Sequence, residues 1–342
     1  MITIQQVFEH AKGQQVTDIH ICANAPVLFR IGGQLIPVCK EFLSAKQSQE
    51  LSLQLLNDRQ KEQLNQDLDY DFMLAMDDSR YRINVGFFNG DIGATIRILP
   101  TDPRSIDELQ LPETVTKLAQ REKGLVLITG STSQGKTTTL TSMIDYINTH
   151  FQKHIITIED PIEYLHTNKK GIIRQREISK DTKTFSSGLR AALRQDPDII
   201  AIGEMRDFET IKIALTAAET GVLVISTLHV ISIDKILERL LSYAQGGDES
   251  QVRFLLAESL QGVIHQELVP TVNRGQQVAC EILVMNNAAR NIIRRKGGYF
   301  LRNIIETGKK QGMMTMADSI GDLRARGIIS EAIAANVLAN YR

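Results

Sequence analysis

Gly124-Leu-Val-Leu-Ile-Thr129, followed directly by Gly130-Ser-Thr-Ser-Gln-Gly135-Lys136-Thr137-Thr138, is the stretch whose reading decides the fold. The apolar run reads as a buried strand, and the residues after it satisfy the pattern G-x-x-x-x-G-K-[ST] and open a helical run through Met143. That strand, loop and helix context suits phosphate, because the loop N–H groups and the helix N-terminus present partial positive charge to an anion. Lys136 is expected to reach the β and γ phosphates, and the Thr137 hydroxyl to ligate Mg²⁺. Gly130, Ser131, Thr132, Ser133, Gln134, Gly135 and Thr138 complete the loop, and ATP with Mg²⁺ are the expected cofactors. At average composition the pattern arises by chance in about one chain in a hundred of this length, so a plain Gly-rich turn is the weaker reading.

Downstream, apolar runs at 125–128, 155–158, 199–202 and 222–225 alternate with helical segments, which predicts an α/β core with a parallel sheet covered on both faces. Ile199-Ile-Ala-Ile202-Gly203-Glu204-Met-Arg206-Asp207 is an apolar strand ending on a carboxylate. Beside a phosphate loop, such an acid serves the magnesium and the attacking water, and Glu204 is the candidate. Ile155-Ile-Thr-Ile158-Glu159-Asp160-Pro161-Ile-Glu163 places three acids just past another strand. They read equally as ligand-facing groups at a strand end or as charges favouring a helix N-terminus. His229, ending the run Val222-Leu-Val-Ile-Ser-Thr-Leu-His229, is a candidate γ-phosphate sensor, with an ordinary solvent-facing or core histidine as the alternative.

Upstream, residues 17–38 read as short strands with a turn at Gly32-Gly33, residues 44–66 as one or two helices, and Arg80–Leu99 as alternating strand in which Tyr81, Ile83, Val85 and Phe87 share a face. This makes an α+β domain over 1–100. Pro100-Thr-Asp-Pro103 opposes both helix and central strand and is the expected linker, with the second domain spanning 101–342. From about 249 to 342 the patterns read as a mostly helical appended region, broken near Arg274 and Gly297-Gly298.

A chain of 342 residues is long enough for two cores. Hydrophobic content of 42% and charged content of 23% exclude a disordered or fibrous chain. The formal charge of −1 argues against a nucleic-acid partner. The three cysteines, Cys22, Cys39 and Cys280, form no short-spaced metal or redox pair. No run of 18 apolar residues occurs and the N-terminus has no signal-like pattern, so the chain is expected to be cytoplasmic and to meet a membrane only through a partner.

With these four boxes in this order, the chain resembles the secretion and pilus ATPases, and within them the PilT-type retraction ATPases of type IV pili. The resemblance is nearly end to end. It implies a RecA-like P-loop NTPase core with boxes at 130–138, 159–163, 203–207 and 220–232, a PAS-like N-terminal domain opening at Thr17-Asp-Ile-His20, and a helical C-terminal region. It also implies arginine-bearing strands, on which Arg82 and Arg97 would neutralise γ-phosphate charge as two domains close around ATP. Glu204 would hold Mg²⁺ through water while Glu163 orients or deprotonates the attacking water, and those two roles could be exchanged. Ala289-Arg-Asn-Ile-Ile-Arg294 is similar to a segment typical of the PilT-type proteins, and the four-cysteine zinc loop of extension and type II secretion ATPases is missing.

Three departures from the family involve five positions. Ser133 and Gln134 stand where it usually has Gly and Ser, so a side chain must be tolerated at 133 where glycine is the rule. Val222 replaces the first histidine of the His box, and Val230-Ile231 replace threonines after the second. The resemblance implies a homo-hexamer that hydrolyses ATP to move a polytopic inner-membrane platform protein at the base of a pilus. A type II, type IVB or conjugative secretion ATPase shares every box. A RecA-like nucleic-acid translocase and a weakly hydrolysing nucleotide-gated module are the rivals outside that class.

Overall fold

A computed structural model describes residues 3–14, 16–76, 79–99, 102–244, 248–273, 275–295, 300–339 and 341. The chain divides into two compact units, Met1–Thr101 and Asp102–Arg342. Pro100 and Thr101 of the expected linker, together with Arg274 and Gly297-Gly298, lie outside the described residues.

In the first unit, α1 (Ile4–Ala11) precedes β1 (Val16–Ile21), β2 (Leu28–Ile31) and β3 (Gln34–Pro37). Then come α2 (Ala45–Leu53), α3 (Asp58–Asp67), β4 (Asp69–Met76), β5 (Ser79–Phe88) and β6 (Asp91–Leu99). The strands form one sheet in the order β3-β2-β1-β6-β5-β4, antiparallel at every pairing. Helices α2 and α3 start where the sequence supplies reciprocal caps: the side chains of Ser44 and Asn57 accept from the backbone of Gln47 and Gln60, whose amides accept from the cap backbone in return. Along β5 the two-residue alternation buries Tyr81, Ile83 and Val85 and leaves Arg82 exposed on the other face. Phe87, on the same face, is 36% exposed, because it sits beside the β5–β6 hairpin turn where the face runs out.

The second unit holds α4 (Glu113–Ala119), β7 (Gly124–Thr129), α5 (Lys136–His150), β8 (His154–Glu159), β9 (Ile172–Glu177), α6 (Phe185–Ala192), β10 (Ile199–Ile202), α7 (Phe208–Glu219), β11 (Leu223–Leu228), α8 (Lys235–Ser242) and α9 (Glu249–Ser259). It continues with β12 (Leu260–Pro270), β13 (Gln276–Val284), α10 (Asn287–Arg294), α11 (Leu301–Thr307), α12 (Met316–Ala325) and α13 (Glu331–Ala339). Its sheet runs β13-β12-β7-β11-β10-β8-β9, parallel except for the β12–β13 hairpin. Strands β7, β10 and β11 are buried at every residue, as helices on both faces require.

The helical C-terminal region is present, but the reading of 249–342 as mostly helical missed β12 and β13. The physical reason lies in burial: β12 has buried residues on both faces, so it shows no apolar–polar alternation that would mark it as strand. Helices α12 and α13 cover the far end of this hairpin, where Met316, Ile320, Leu323, Ala334 and Val337 form a satellite core with Val269 and Ala279.

Candidate active site

Because β7, β8, β10 and β11 run parallel, their carboxyl ends share one edge of the sheet, the place where open α/β sheets hold ligands. The loop at 130–135 leaves β7, the acidic segment at 159–163 leaves β8, Glu204 follows β10, and His229 follows β11. Four sequence segments up to about a hundred residues apart are thereby gathered by topology alone.

Backbone torsions shape the loop, with φ of +149° at Gly130, +63° at Ser133 and +77° at Gly135. Ser133 thus carries a side chain in the left-handed region, at a cost of about 1 kcal/mol that the family's usual glycine avoids. Gly135 occupies the N-cap of α5, which has no side-chain cap, whereas Asp207, Asn286 and Thr315 cap α7, α10 and α12. No side chain caps the first-turn N–H groups of α5, as an anion-binding helix N-terminus requires, although α4, α8, α9 and α11 also lack such a cap. Ser131, Thr132 and Ser133 are exposed, and Gln134, Gly135, Thr137 and Thr138 are half-buried.

Lys136 is only 7% exposed. Its Nζ donates to the Ser131 carbonyl at 2.5 Å and to Nδ1 of His229 at 3.3 Å. Burial lowers the Lys136 pKa, partly offset by the Glu204 carboxylate. On the other side of the ring, His229 Nε2 lies 3.4 Å from Glu204 Oε1, and Arg206 Nε donates to Glu204 Oε2 at 2.8 Å. Burial and the Lys136 charge both lower the His229 pKa. Glu204 is held by its backbone neighbours: Gly203 N donates to Ile158 O at 2.8 Å, Thr227 Oγ1 donates to Gly203 O at 2.5 Å, and Met205 N donates to Thr227 O at 3.4 Å. The lysine of the loop, the histidine and the strand-end glutamate form one contiguous chain of contacts.

In the acidic segment, Glu159 is buried and its pKa is raised by that burial, against hydrogen bonds from Thr157 Oγ1 at 2.5 Å and Gln175 Nε2 at 3.1 Å. The half-buried Glu163 adds to the rise through its own charge. Tyr164, one residue further, places its hydroxyl 3.4 Å from Thr138 Oγ1 and so pins this segment to the start of α5.

Arg82 and Arg97 belong to the first unit, directly opposed across β5 and β6. Arg97 Nε donates to Asp18 Oδ1 at 2.9 Å, and Arg82 Nε lies 3.9 Å from Asp71 Oδ1. With Asn84 and Thr95, these four charged residues line a cavity of about 340 Å³ on that sheet. Burial alone would raise the Asp18 pKa, but the Arg97 and Thr17 hydrogen bonds hold it below the usual carboxylate value.

The donor set suits Mg²⁺. A hydroxyl at Thr137 and a carboxylate at Glu204 are hard oxygen ligands, and Mg²⁺ binds through one or two protein oxygens plus phosphates and water rather than through an all-protein cage. Among the described residues there is no group of three or more His, Cys, Asp or Glu that could hold a metal ion.

Sequence reasoning assigned no role to Arg206, His265 or Gln266. Arg206 was signalled only by its place two residues after Glu204. His265 Nδ1 lies 3.1 Å from Thr129 Oγ1, and Gln266 Nε2 donates to Gln134 O at 2.6 Å, contacts spanning more than a hundred residues that no local pattern announces.

Residues 1–329 match the family described as type II/IV secretion system protein. The type IV pilus retraction ATPase PilT of Pseudomonas aeruginosa is 39% identical over 96% of this chain and 95% of its own length. A twitching motility protein of Neisseria gonorrhoeae is 40% identical over 89% of this chain and 82% of its own. A crystal structure of the pilus retraction motor PilT with bound ADP superposes with a TM-score of 0.89 at 37% identity, covering 98% of this chain and 96% of that one. The chain belongs to the type II/IV secretion system protein family, the secretion and pilus ATPases, and stands among its PilT-type members.

Proposed function

We propose that this ATPase drives retraction of a type IV pilus, working as a homo-hexamer at the cytoplasmic face of the inner membrane on a platform protein at the pilus base. The observation that carries the chemistry is the line of contacts Lys136–His229–Glu204 at the carboxyl edge of the sheet. The assignment to retraction rests on the two relatives and the solved structure. A net charge of −1 supports a protein partner rather than nucleic acid.

In this reading Lys136 donates to Ser131 O and His229 Nδ1 until phosphate takes those donors, after which the His229 ring is free to report the γ-phosphate. Thr137 and Glu204 would hold Mg²⁺, which supplies charge neutralisation at the phosphates when bound. Glu163 orients or deprotonates the attacking water, with Glu204 able to exchange that role. Arg82 and Arg97 meet γ-phosphate charge as it grows in the transition state. No helix among the described residues is long and apolar enough to cross a membrane, which fits attachment through the platform partner.

The test is turnover by purified protein, with and without single-stranded DNA. Lys136→Ala should lose nucleotide binding and hydrolysis, and Glu204→Gln should keep ATP affinity while stopping turnover. Retention of more than a tenth of wild-type turnover by Lys136→Ala would sink the site, and strong stimulation by DNA would favour a translocase.

A further inference from the structure

Beyond Thr129 the phosphate loop departs from the sheet, so β12 outlasts its pairing with β7, whose last partnered residue on β12 is His265. The next residues turn their polar groups onto the loop. Gln266, 1% exposed, donates from Nε2 to the Gln134 carbonyl at 2.6 Å, and the Leu268 backbone N–H donates to Gln134 Oε1. Gln266 also bounds the loop's first residue, since a Cβ at Gly130 would fall 2.6 Å from the Gln266 carbonyl.

We propose that Gln134 and Gln266 are positioning residues for nucleotide binding, a two-bond brace by which β12 holds the phosphate loop in its binding shape before any nucleotide arrives. The peptide joining Gln134 to Gly135 is trans, so its carbonyl and its N–H point in opposite directions. Drawing the carbonyl of Gln134 out to Gln266 turns the Gly135 N–H inward, toward the space the phosphates occupy. The side-chain bond to Leu268 fixes the same residue a second time. A serine at 134 is too short to span that gap, so the glutamine that departs from the family supplies a contact the usual residue cannot make. It also compensates locally for the left-handed Ser133 beside it, which by itself would disfavour this loop conformation.

Because loop N–H contacts to phosphate exist in the ground state and persist into the transition state, losing the brace weakens both equally. The loss then appears in KM and Kd, with kcat at saturating ATP held. A structural role elsewhere in β12 would instead lower Tm without that split.

The experiment uses the full-length protein, with ADP affinity measured by calorimetry, steady-state ATPase kinetics, and Tm without nucleotide. Gln266→Met conserves volume while removing the donor, and Gln134→Met removes the side-chain acceptor at a half-buried loop position that leaves the core intact. Each is expected to raise the Kd for ADP about tenfold and KM for ATP in proportion, with kcat within about twofold and at most a small fall in Tm, as the loss of one well-placed hydrogen bond predicts. Gln134→Ser should behave as Gln134→Met. Unchanged Kd and KM in the variants, or a fall in kcat at constant Kd, would overturn the brace. The proposal rests on reading 130–138 as the phosphate site, and failure of the wild-type chain to bind ADP would overturn both. Normal wild-type binding with unaffected variants would overturn the brace alone.

Discussion

Nζ of Lys136 lies 3.3 Å from Nδ1 of His229. An ammonium has only donors, so Nδ1 must offer its lone pair, and the ring proton sits on Nε2, facing Glu204 Oε1 at 3.4 Å. These contacts require the neutral ring with its proton on Nε2. Burial and the Lys136 charge lower its pKa, which favours the neutral ring.

His229→Ala should therefore reduce kcat by about tenfold or more, since it removes a group that links the loop lysine to Glu204, while ADP affinity changes little. Wild-type kcat should be level near neutrality and fall as acid protonates the ring, below the usual histidine range. Stopped-flow phosphate release across pH 5–8 checks both. Unaltered turnover in His229→Ala would show that the ring is only a spacer.

Position 133 allows a steric test. Its φ of +63° suits glycine, is tolerated by serine, and is strongly disfavoured for a β-branched residue. Ser133→Gly should leave nucleotide affinity within about twofold, whereas Ser133→Val should weaken it by about tenfold or more. Equal affinities for the two variants, measured by calorimetry, would mean that the loop rearranges freely at 133.

Arg290 and Arg294 separate into different roles. Arg290 NH1 donates to the carbonyls of Ala257 and, at 2.7 Å, of Glu258, closing the C-terminal end of α9, whereas the exposed Arg294 pairs with the Glu258 carboxylate. Arg290→Ala should lower Tm, at a cost of about 1–2 kcal/mol for the carbonyls left without their charged donor. Arg294→Ala should leave Tm almost unchanged, because an exposed ion pair contributes little. If Arg294→Ala keeps ATPase activity but loses twitching, coupling resides there; unchanged twitching would remove that role.

The buried His265 and the half-buried Glu281 set opposing pH dependences of stability. Burial, with a smaller effect of Lys136, lowers His265 to about 4. Its contribution is present above the unfolded pKa near 6.5 and is lost as pH falls toward 4. Burial, then Asp234, raises Glu281 to about 7, so its contribution is present below about 4.5 and is lost as pH rises through 7. Glu281→Gln should accordingly raise Tm at pH 8 relative to wild type and leave a stability that climbs between pH 4 and 6.5. Thermal melts at pH 5 and pH 8 measure this, and a lower Tm for Glu281→Gln at pH 8 would contradict it.

What was legible in the sequence follows from the range of the interactions. The loop at 130–138 is local chemistry, so its residues and flanking strand and helix could be read directly. Glu204 and His229 could be read because each ends an apolar strand, which tells where the side chain emerges though not what it meets. The bridge from Lys136 through His229 to Glu204 depends on strand order, with β11 beside β7 and β10 beside β11, and no spacing in the chain encodes that order. The β12–β13 hairpin was hidden because burial on both faces erases alternation. With it went Gln266 and His265, whose importance comes wholly from a strand that begins about 125 residues after the loop it supports.

A mixing experiment separates three proposed roles for Arg82 and Arg97: action on their own subunit's nucleotide, action on a neighbour's, or plain surface ion pairs such as those with Asp71 and Asp18, for which loss would leave kcat unchanged. Each of Arg82→Ala and Arg97→Ala should lower kcat by about two orders of magnitude with ATP affinity retained, the pattern of a contact that strengthens in the transition state. Rings mixed from Arg82→Ala and Lys136→Ala subunits contain no complete site if the arginines act within a subunit, and regain activity if they act between subunits. Recovery of ATPase activity on mixing, with subunit exchange confirmed, would place the arginines across the subunit boundary.

If hydrolysis that depends on Glu204 powers removal of pilus subunits, surface piliation in cells carrying a chromosomal Glu204→Gln allele will show it. A retraction motor that binds ATP without turning it over leaves assembly running, so abundant surface pili with twitching abolished are expected. Cells without surface pili would make this an assembly ATPase, and cells that twitch normally with ordinary piliation would remove it from the pilus altogether.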